Sequence, residues 1–301
     1  MTKNNYLSDH EQEVIYNVIL VSSILSLIGS LFVCFVYLAF KSLRVFAFRL
    51  VFYLASVDVF ISISFMIPYD KGNSVRCRIQ GAAITYFTLS EVLWTSVIAH
   101  TLYSSAIKNA SFENYHLKYC LFSFGIPLIA TIIPWIGDFY GPSNGWCWIV
   151  HDKGNEGYHT YLICLKLALF YIPLWLVIIY NFAVYMKIIR KLQENEGSFH
   201  EHTNIRRVLI MKLRLYPLVL MVCQGPVSVF RLFSFSDEGY APFELVLLSG
   251  IGICINGFLN AVIYGLTRQV RKEIAKIICK YKTEGRPERE TMTQSLKIVE
   301  E

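Results

Sequence analysis

The sequence predicts an all-α membrane protein, a seven-transmembrane helix bundle closed by a C-terminal amphipathic surface helix. Three observations carry that prediction. Of the 301 residues, 54% are hydrophobic and 17% are charged, against about a quarter charged in a typical soluble domain. Seven apolar windows, at 14–40, 45–68, 78–106, 119–137, 159–186, 208–235 and 242–267, each reach the ~17–25 residues that a membrane-crossing helix needs. Lysine and arginine gather on one side of those windows.

In chain order, residues 1–13, MTKNNYLSDHEQE, read as a short extracellular N-terminus without the basic flank of a signal peptide. From Val14 to Phe40 no residue is charged, so the first window reads as a retained span. The second, which carries LRVFAFRLVFYLASVD, holds an aspartate, Asp58, near mid-depth. The third begins beside Cys77 and carries Glu91 and His100. The fourth is uniformly apolar. The fifth contains Lys166 and Pro173, and the sixth contains Pro217, Gly225-Pro226 and Arg231. Proline removes a backbone donor and clashes one turn back, so a kink is expected in span six. The seventh places Asn256 and Asn260 four apart, on one helical face.

RQVRKEIAKIICKYK, within an expected surface helix at 268–282, sets Val270, Ile274, Ile277 and Ile278 on one face and basic residues on the others, as a helix lying on a membrane does. Cys279 there is a candidate lipidation site. Residues 283–301 are charge-rich and expected to be disordered, and Thr283, Thr291, Thr293 and Ser295 are candidate phosphorylation sites. The seven-helix domain is thus expected over 14–267.

An outer N-terminus puts 21 of the 28 lysines and arginines inside and only Lys3, Lys71, Arg76, Arg78 and Lys153 outside. The positive-inside rule therefore favours a multi-pass protein of the plasma membrane with its N-terminus out and its C-terminus in the cytoplasm. The net charge of +6 needs no nucleic acid, because anionic membrane lipid faces the basic side. The one N-x-S sequence, Asn109-Ala110-Ser111, falls inside.

Cys77, at the outer mouth of span three, and Cys147, in the loop sequence GWCW, both face the oxidising side, where disulfides persist. They are either unrelated thiols or a bridge that pins the loop over the bundle. Ionisable groups inside a span are costly and mark sites by default. Asp58, Glu91, Asn256 and Asn260, at comparable depth, can form an internal polar site holding Na⁺ or sharing one proton between the two carboxyl groups. Alternatively, Asp58 is hydrogen-bonded only to its neighbours. Lys166, Arg231 and Arg78 make the outer mouth basic and suit an anionic ligand such as a phosphate ester, with Trp148 and Tyr161 as ring surfaces. Headgroup snorkelling or pairing with Glu91 or Glu244 is the competing reading for Lys166 and Arg231. His100 reads as a hydrogen-bonded packing residue.

FKSLRVFAFRLVFYLASVDVF in span two, SEVLWTSVIAHTLY in span three, GWCW, and GFLNAVIYGLTRQVRK closing span seven resemble the cyclic-AMP-receptor-like G-protein-coupled receptors of slime moulds, plants and other eukaryotes. The resemblance runs over roughly 15–280. It implies a seven-helix receptor whose cytoplasmic face engages a heterotrimeric G protein and whose amoebal members sense extracellular cyclic AMP. It also implies that Asp58 is the family's span-two aspartate and that Cys77 and Cys147 form its outer disulfide. Asn260 and Tyr264 match an N-x-x-x-Y at the inner end of span seven, with Ala261 where rhodopsin-like receptors have proline. HTLYSSAIK lacks the D-R-Y of those receptors, so other residues must make the G-protein contacts. Tyr264, Arg206 and Arg207 are the candidates, the last two within RRVLIMKLR at 206–214.

The function so expected is a receptor for a small extracellular ligand, cyclic AMP or another anionic small molecule, with a heterotrimeric G protein and membrane lipids as partners. The alternative is a seven-helix transporter of a small solute, but spans 1–3 and 5–7 lack the internal similarity of inverted repeats. An enzyme is not expected. His10, His151 and His159 are scattered, and His200-Glu201-His202 lacks the H-E-x-x-H spacing of a metal site. No lysine lies at 242–267 to bind retinal, and no cofactor is expected beyond a Na⁺ or shared proton at Asp58 and Glu91.

Overall fold

The fold comes from a computed structural model that describes residues 7–69, 74–107, 115–143, 145–149, 156–194, 218–219, 221–225, 228, 242–265 and 267–284. Helix α1 (Asp9–Ala39) starts earlier than the apolar pattern suggests, within the stretch read as an N-terminal segment. Its start is set by a capping box: Glu11 N–H donates to Ser8 Oγ, and Ser8 N–H donates to Glu11 Oε2 at 2.7 Å. Two donors orphaned at the helix end are thereby satisfied. At the other end Phe40 turns extended, and Arg44 Nη2 donates to the Leu38 carbonyl at 2.6 Å.

Next come α2 (Phe46–Met66) and α3 (Val75–Ile107). Helix α4 (His116–Ile136) contains a π turn at Leu121–Gly125. Helix α5 runs as Glu156–Lys166, a π turn at Leu167–Tyr171, and Ile172–Glu194. The two π turns share a cause. Pro127 and Pro173 each follow a π turn closely, and the carbonyls four residues before them, of Ser123 and Leu169, lie inside it. Widening the turn there relieves the clash between ring and carbonyl. The described residues of the sixth window, 218–219, 221–225 and 228, are helical and are termed α6. Helix α7 (Phe243–Gly265) completes the bundle, and α8 (Arg268–Glu284) follows, two residues longer than the expected surface helix. Thr283 and Glu284 of the expected disordered tail are therefore helical, and Pro217, Pro226 and residues 285–301 lie outside the described residues.

Among the described residues, six helices are long and apolar enough to cross a membrane. Helix α3 is the axis, with 78% of its apolar window buried against 22% for α4. It packs against α2, α4, α5 and the outer hairpin, while α1 lies along α7 and α2. The uncovered faces are apolar. Val21, Ile28 and Phe35 on α1, and Leu128, Ile129 and Ile136 on α4, are all exposed, as lipid-facing positions should be.

The α1–α7 seam is built from small residues, which let backbones approach closely. A Cβ placed on Gly257 would collide with Ser26, Ser30 and, at 2.9 Å, the Asp58 Cβ. One placed on Gly29 would lie 3.0 Å from the Ala261 Cβ and 3.1 Å from the Phe258 Cα. This close approach brings α7 against the Asp58 face of α2.

One element was not anticipated. The loop containing GWCW is a β-hairpin, β1 (Tyr140–Ser143) pairing antiparallel with β2 (Trp146–Ile149). Gly145, with φ of 100°, supplies the left-handed residue that a tight hairpin turn requires.

Candidate functional site

The hairpin caps the end of the bundle where α1 and α3 begin, the end expected to be the outer one. Because β2 alternates sides, Trp146 and Trp148 share one face and Cys147 takes the other. Cys147 is disulfide-bonded to Cys77 with the Cα atoms 5.3 Å apart. Gln80 reinforces the junction: its Oε1 accepts from Cys147 N–H at 3.1 Å, and its Nε2 donates to the carbonyls of Ser64 and Ile67, each at 3.1 Å. Tyr140 also packs on α3, where a Cβ added to Gly81 would lie 2.8 Å from its ring. The Tyr140 hydroxyl donates to the Thr131 carbonyl at 3.2 Å, and burial pushes this phenol up to about 12.

Beneath the hairpin lies a cavity of about 440 Å³, its open mouth included. Trp146 and Trp148 roof it, Phe65, Phe170 and Tyr171 wall it, and Thr88, Gln224 and Ser228 are its polar liners. Trp148 is fixed by its Nε1 donating to Thr85 Oγ1 at 3.1 Å and by edge-on contacts to Phe170 and Tyr171, with ring centroids 5.5 and 6.0 Å away.

Three residues inward from Thr88 on α3 is Glu91, and three inward from Ile253, another liner on α7, is Asn256. There the expected polar cluster assembles. Asn256 Nδ2 donates to Glu91 Oε1, and Asn260 Nδ2 donates to Asp58 Oδ2 at 3.1 Å. The two carboxyl groups lie side by side, and all four residues are buried, none more than 4% exposed. Four oxygens stay without a hydrogen-bond partner among the described residues: Asp58 Oδ1, Glu91 Oε2, Asn256 Oδ1 and Asn260 Oδ1. Unsatisfied buried acceptors next to two carboxyl groups are the donor set of a hard monovalent cation, or of a proton with waters.

One turn further in, Tyr264 is fully buried, its ring edge-on to Phe48 at 5.5 Å. The buried polar residues of α7 thus continue from beside the cavity to the inner end, Asn256, Asn260, Tyr264, at helical spacing. Inner ties between helices are made by histidines. His100 Nδ1 pairs with the Tyr180 hydroxyl at 3.0 Å, linking α3 to α5, and His116 Nε2 pairs with the Tyr53 hydroxyl at 2.8 Å, linking α4 to α2. His100 therefore sits as a hydrogen-bonded tie.

The expected outer-mouth cations are arranged differently. Arg78 Nε lies 3.1 Å from Asp138 Oδ1, and its guanidinium is 5.0 Å from the Trp135 ring centre, so it joins α3 to the end of α4. Lys166 is buried with its ammonium 6.0 Å from the Trp148 ring centre. Neither is among the described liners of the cavity, whereas Trp148 is. Tyr161 packs on Phe139 with ring centroids 5.7 Å apart. Arg231, Arg206 and Arg207 lie outside the described residues. On α8, Val270 is fully buried and Ile274 packs against the core, while Cys279 is exposed. The sequence reading missed Thr85, Thr88, Phe170, Tyr171 and Gln224, which are uncharged and look like ordinary span residues.

Residues 6–180 match the family model described as slime mold cyclic AMP receptor. The chain is 28% identical over 285 residues to "G-protein coupled receptor 1" of Arabidopsis thaliana, covering 91% of this chain and 84% of that one. It is 29% identical over 280 residues to "Cyclic AMP receptor-like protein A" of Dictyostelium discoideum, covering 92% and 71% respectively. Among solved structures, squid rhodopsin shares the fold with a TM-score of 0.71 at 16% identity, over 94% of this chain and 90% of that one.

Proposed function

Since the chain belongs to the slime mold cyclic AMP receptor family, a family of multi-pass membrane receptors, we propose that it is a plasma-membrane receptor with its N-terminus outside, binding a small extracellular ligand and signalling to a heterotrimeric G protein at its cytoplasmic face. The observation that carries this reading is the stacking of three features along one axis. A roofed outer cavity meets a buried polar cluster, and the cluster meets Tyr264 near the cytoplasmic end. A ligand that favours one packing around the cavity shifts the population of the helix arrangement below it. The cytoplasmic end of the bundle, with Tyr264 of α7 and with Arg206 and Arg207 of the loop between the fifth and sixth windows, would receive the G protein. Cys279, exposed on α8, would carry a lipid that holds this helix to the inner leaflet.

Within the cluster, one positive charge, a shared proton or a Na⁺ ion, would sit between Asp58 and Glu91, because two adjacent carboxylates repel strongly where water is excluded. Asn256 and Asn260 would complete its oxygen shell.

Cyclic AMP is the ligand suggested by the relatives' names, with Lys166, and Arg231 by its position in the sixth apolar window, as the candidate partners of its phosphate. Saturable binding of labelled cyclic AMP to membranes containing the protein tests it, beside Lys166→Ala. Binding that is saturable in the native protein and lost in the variant supports a cyclic-nucleotide receptor. No binding by protein demonstrated at the cell surface removes this ligand and leaves the receptor reading to the coupling measurement.

A further inference from the structure

At the end of the bundle expected to face the cytoplasm, α8 is fastened to the turn that follows α1. That turn, Lys41–Leu43, buries Leu43 and leaves Lys41, Ser42 and the next residue but one, Arg44, exposed. On α8, Val270 is fully buried and Ile274 packs against the core. Between them Glu273 accepts from Lys276 Nζ at 2.9 Å and from the Ser42 hydroxyl. These two bonds hold its carboxyl below the usual range, so it stays ionised beside the turn.

The charge gathered there is unbalanced. Residues 36–57 hold three lysines and arginines and no acid, and residues 265–283 hold six, with Glu273 as the single acid. Glu273 is already paired with Lys276. Lys41 and Lys272 have no ion-pair partner among the described residues. Arg44 gives one of its five donors to the Leu38 carbonyl, at 2.6 Å. That bond sets its guanidinium at the level of the last turn of α1, whose outward side chains Phe35 and Leu38 are 69% and 55% exposed. An apolar strip that ends at uncommitted cations follows the order of a phospholipid, chains first and phosphate beyond.

We propose that the corner between the Lys41–Leu43 turn and α8 binds the headgroup of a polyphosphorylated inositol lipid, with Lys41 and Arg44 on one side, Lys272 and Lys276 on the other, and the acyl chains along Phe35 and Leu38. The proposal uses the orientation given above, with α8 at the cytoplasmic leaflet, and nothing about the extracellular ligand or the G protein. Four cations against one acid exceed what the single net charge of phosphatidylserine matches, whereas each phosphomonoester on an inositol ring adds roughly 1.5–2 negative charges. Arg44 suits a bidentate phosphate contact, and the lysines act as point charges. Held by both elements at once, the headgroup would clamp α8 to the turn and reinforce the Ser42–Glu273 contact.

Native mass spectrometry of the full chain in dodecyl maltoside, with dioctanoyl phosphatidylinositol 4,5-bisphosphate as probe, reads the bound lipid by its mass. One adduct per chain should saturate and should persist in excess phosphatidylserine. Lys41→Gln and Lys276→Gln, both exposed and one on each element, should each weaken it about tenfold, the loss of one charge-assisted hydrogen bond. Lys118→Gln and Lys187→Gln, exposed cations elsewhere at the same end, should leave it unchanged. Equal losses in all four variants, or equal retention of phosphatidylserine, would mean diffuse attraction to any anionic lipid and would overturn the proposal. An adduct that neither Lys41→Gln nor Lys276→Gln weakens lies elsewhere and would overturn it too. Displacement by free inositol 1,4,5-trisphosphate at the probe's own concentration would put a soluble inositol phosphate at the corner and overturn the lipid. No G protein enters this measurement, so loss of the adduct removes this site alone, and absence of nucleotide exchange removes the receptor reading alone.

Discussion

Asp58 and Glu91 are the residues whose placement most needs a reason. Each is buried in a membrane span, each accepts from one asparagine of α7, and each keeps an unsatisfied oxygen. Two bare carboxylates side by side would be strongly destabilising, a cost that the proposed proton or Na⁺ between them would offset. The identity of that cation is measurable. If it is Na⁺, replacing sodium by N-methylglucamine at constant ionic strength should lower the Tm of the purified protein, since a ligand bound only to the folded state stabilises it by mass action. Asp58→Asn should erase that dependence while keeping a partner for Asn260. A sodium-independent Tm that persists in Glu91→Gln would identify a shared proton instead. A Tm insensitive to sodium, to Asp58→Asn and to Glu91→Gln alike would mean that the cluster is inert. That Asp58, Glu91, Asn256 and Asn260 could meet was legible in the sequence because charge inside a span is rare and the asparagines sit at helical spacing, whereas the pairing of Asp58 with Asn260 and of Glu91 with Asn256 came from the structure. Thr88 and Gln224 were not, because an uncharged polar side chain in a span is common and only its surroundings show whether its bond is made.

At the scale of elements, two contacts hold the site in shape. The first is the α1–α7 seam, where Gly257 faces Ser26, Ser30 and Asp58 with no room for a side chain. Gly257→Val should cost about 1–3 kcal/mol by overpacking and should lower Tm and surface expression together. A variant of native stability would show that α1 and α7 can part, and that the seam does not fix the height of Asn256 and Asn260. The second is the hairpin. Its disulfide closes a separation of 70 residues, which makes it worth roughly 4 kcal/mol in a chain-entropy picture, and it fixes both tryptophans over the cavity. Cys147→Ser should therefore lower Tm and surface expression, and unchanged values of both would contradict this role. The helices themselves were readable from hydropathy, and their order was right. The hairpin was hidden by its brevity: four-residue strands carry little periodicity, and the Asn144-Gly145 pair that marks its turn went unweighed beside the more conspicuous cysteine. The early start of α1 was likewise written in Ser8 and Glu11, a capping signal outside the apolar pattern. Net charge near a mouth says nothing about direction: Arg78 lies against Asp138, and Lys166 lies beside Trp148.

For the molecule as a whole, an aromatic chamber beneath the hairpin, the Asp58–Glu91 cluster and the buried Tyr264 follow one another along the bundle, with α3 and α7 running past the first two. The fold is shared with squid rhodopsin. What makes it a signalling device, on this account, is the continuity of that axis, with Tyr264 as its inner terminus. The most direct measurement is GTPγS uptake by a panel of purified heterotrimeric G proteins added to nanodiscs of the native chain and of Tyr264→Phe, which keeps the buried ring and removes its hydroxyl. The account predicts faster uptake by at least one heterotrimer with the native chain than with empty nanodiscs, falling toward the empty level in Tyr264→Phe although the variant keeps its Tm. Uptake at the empty-nanodisc level for every heterotrimer would contradict the account.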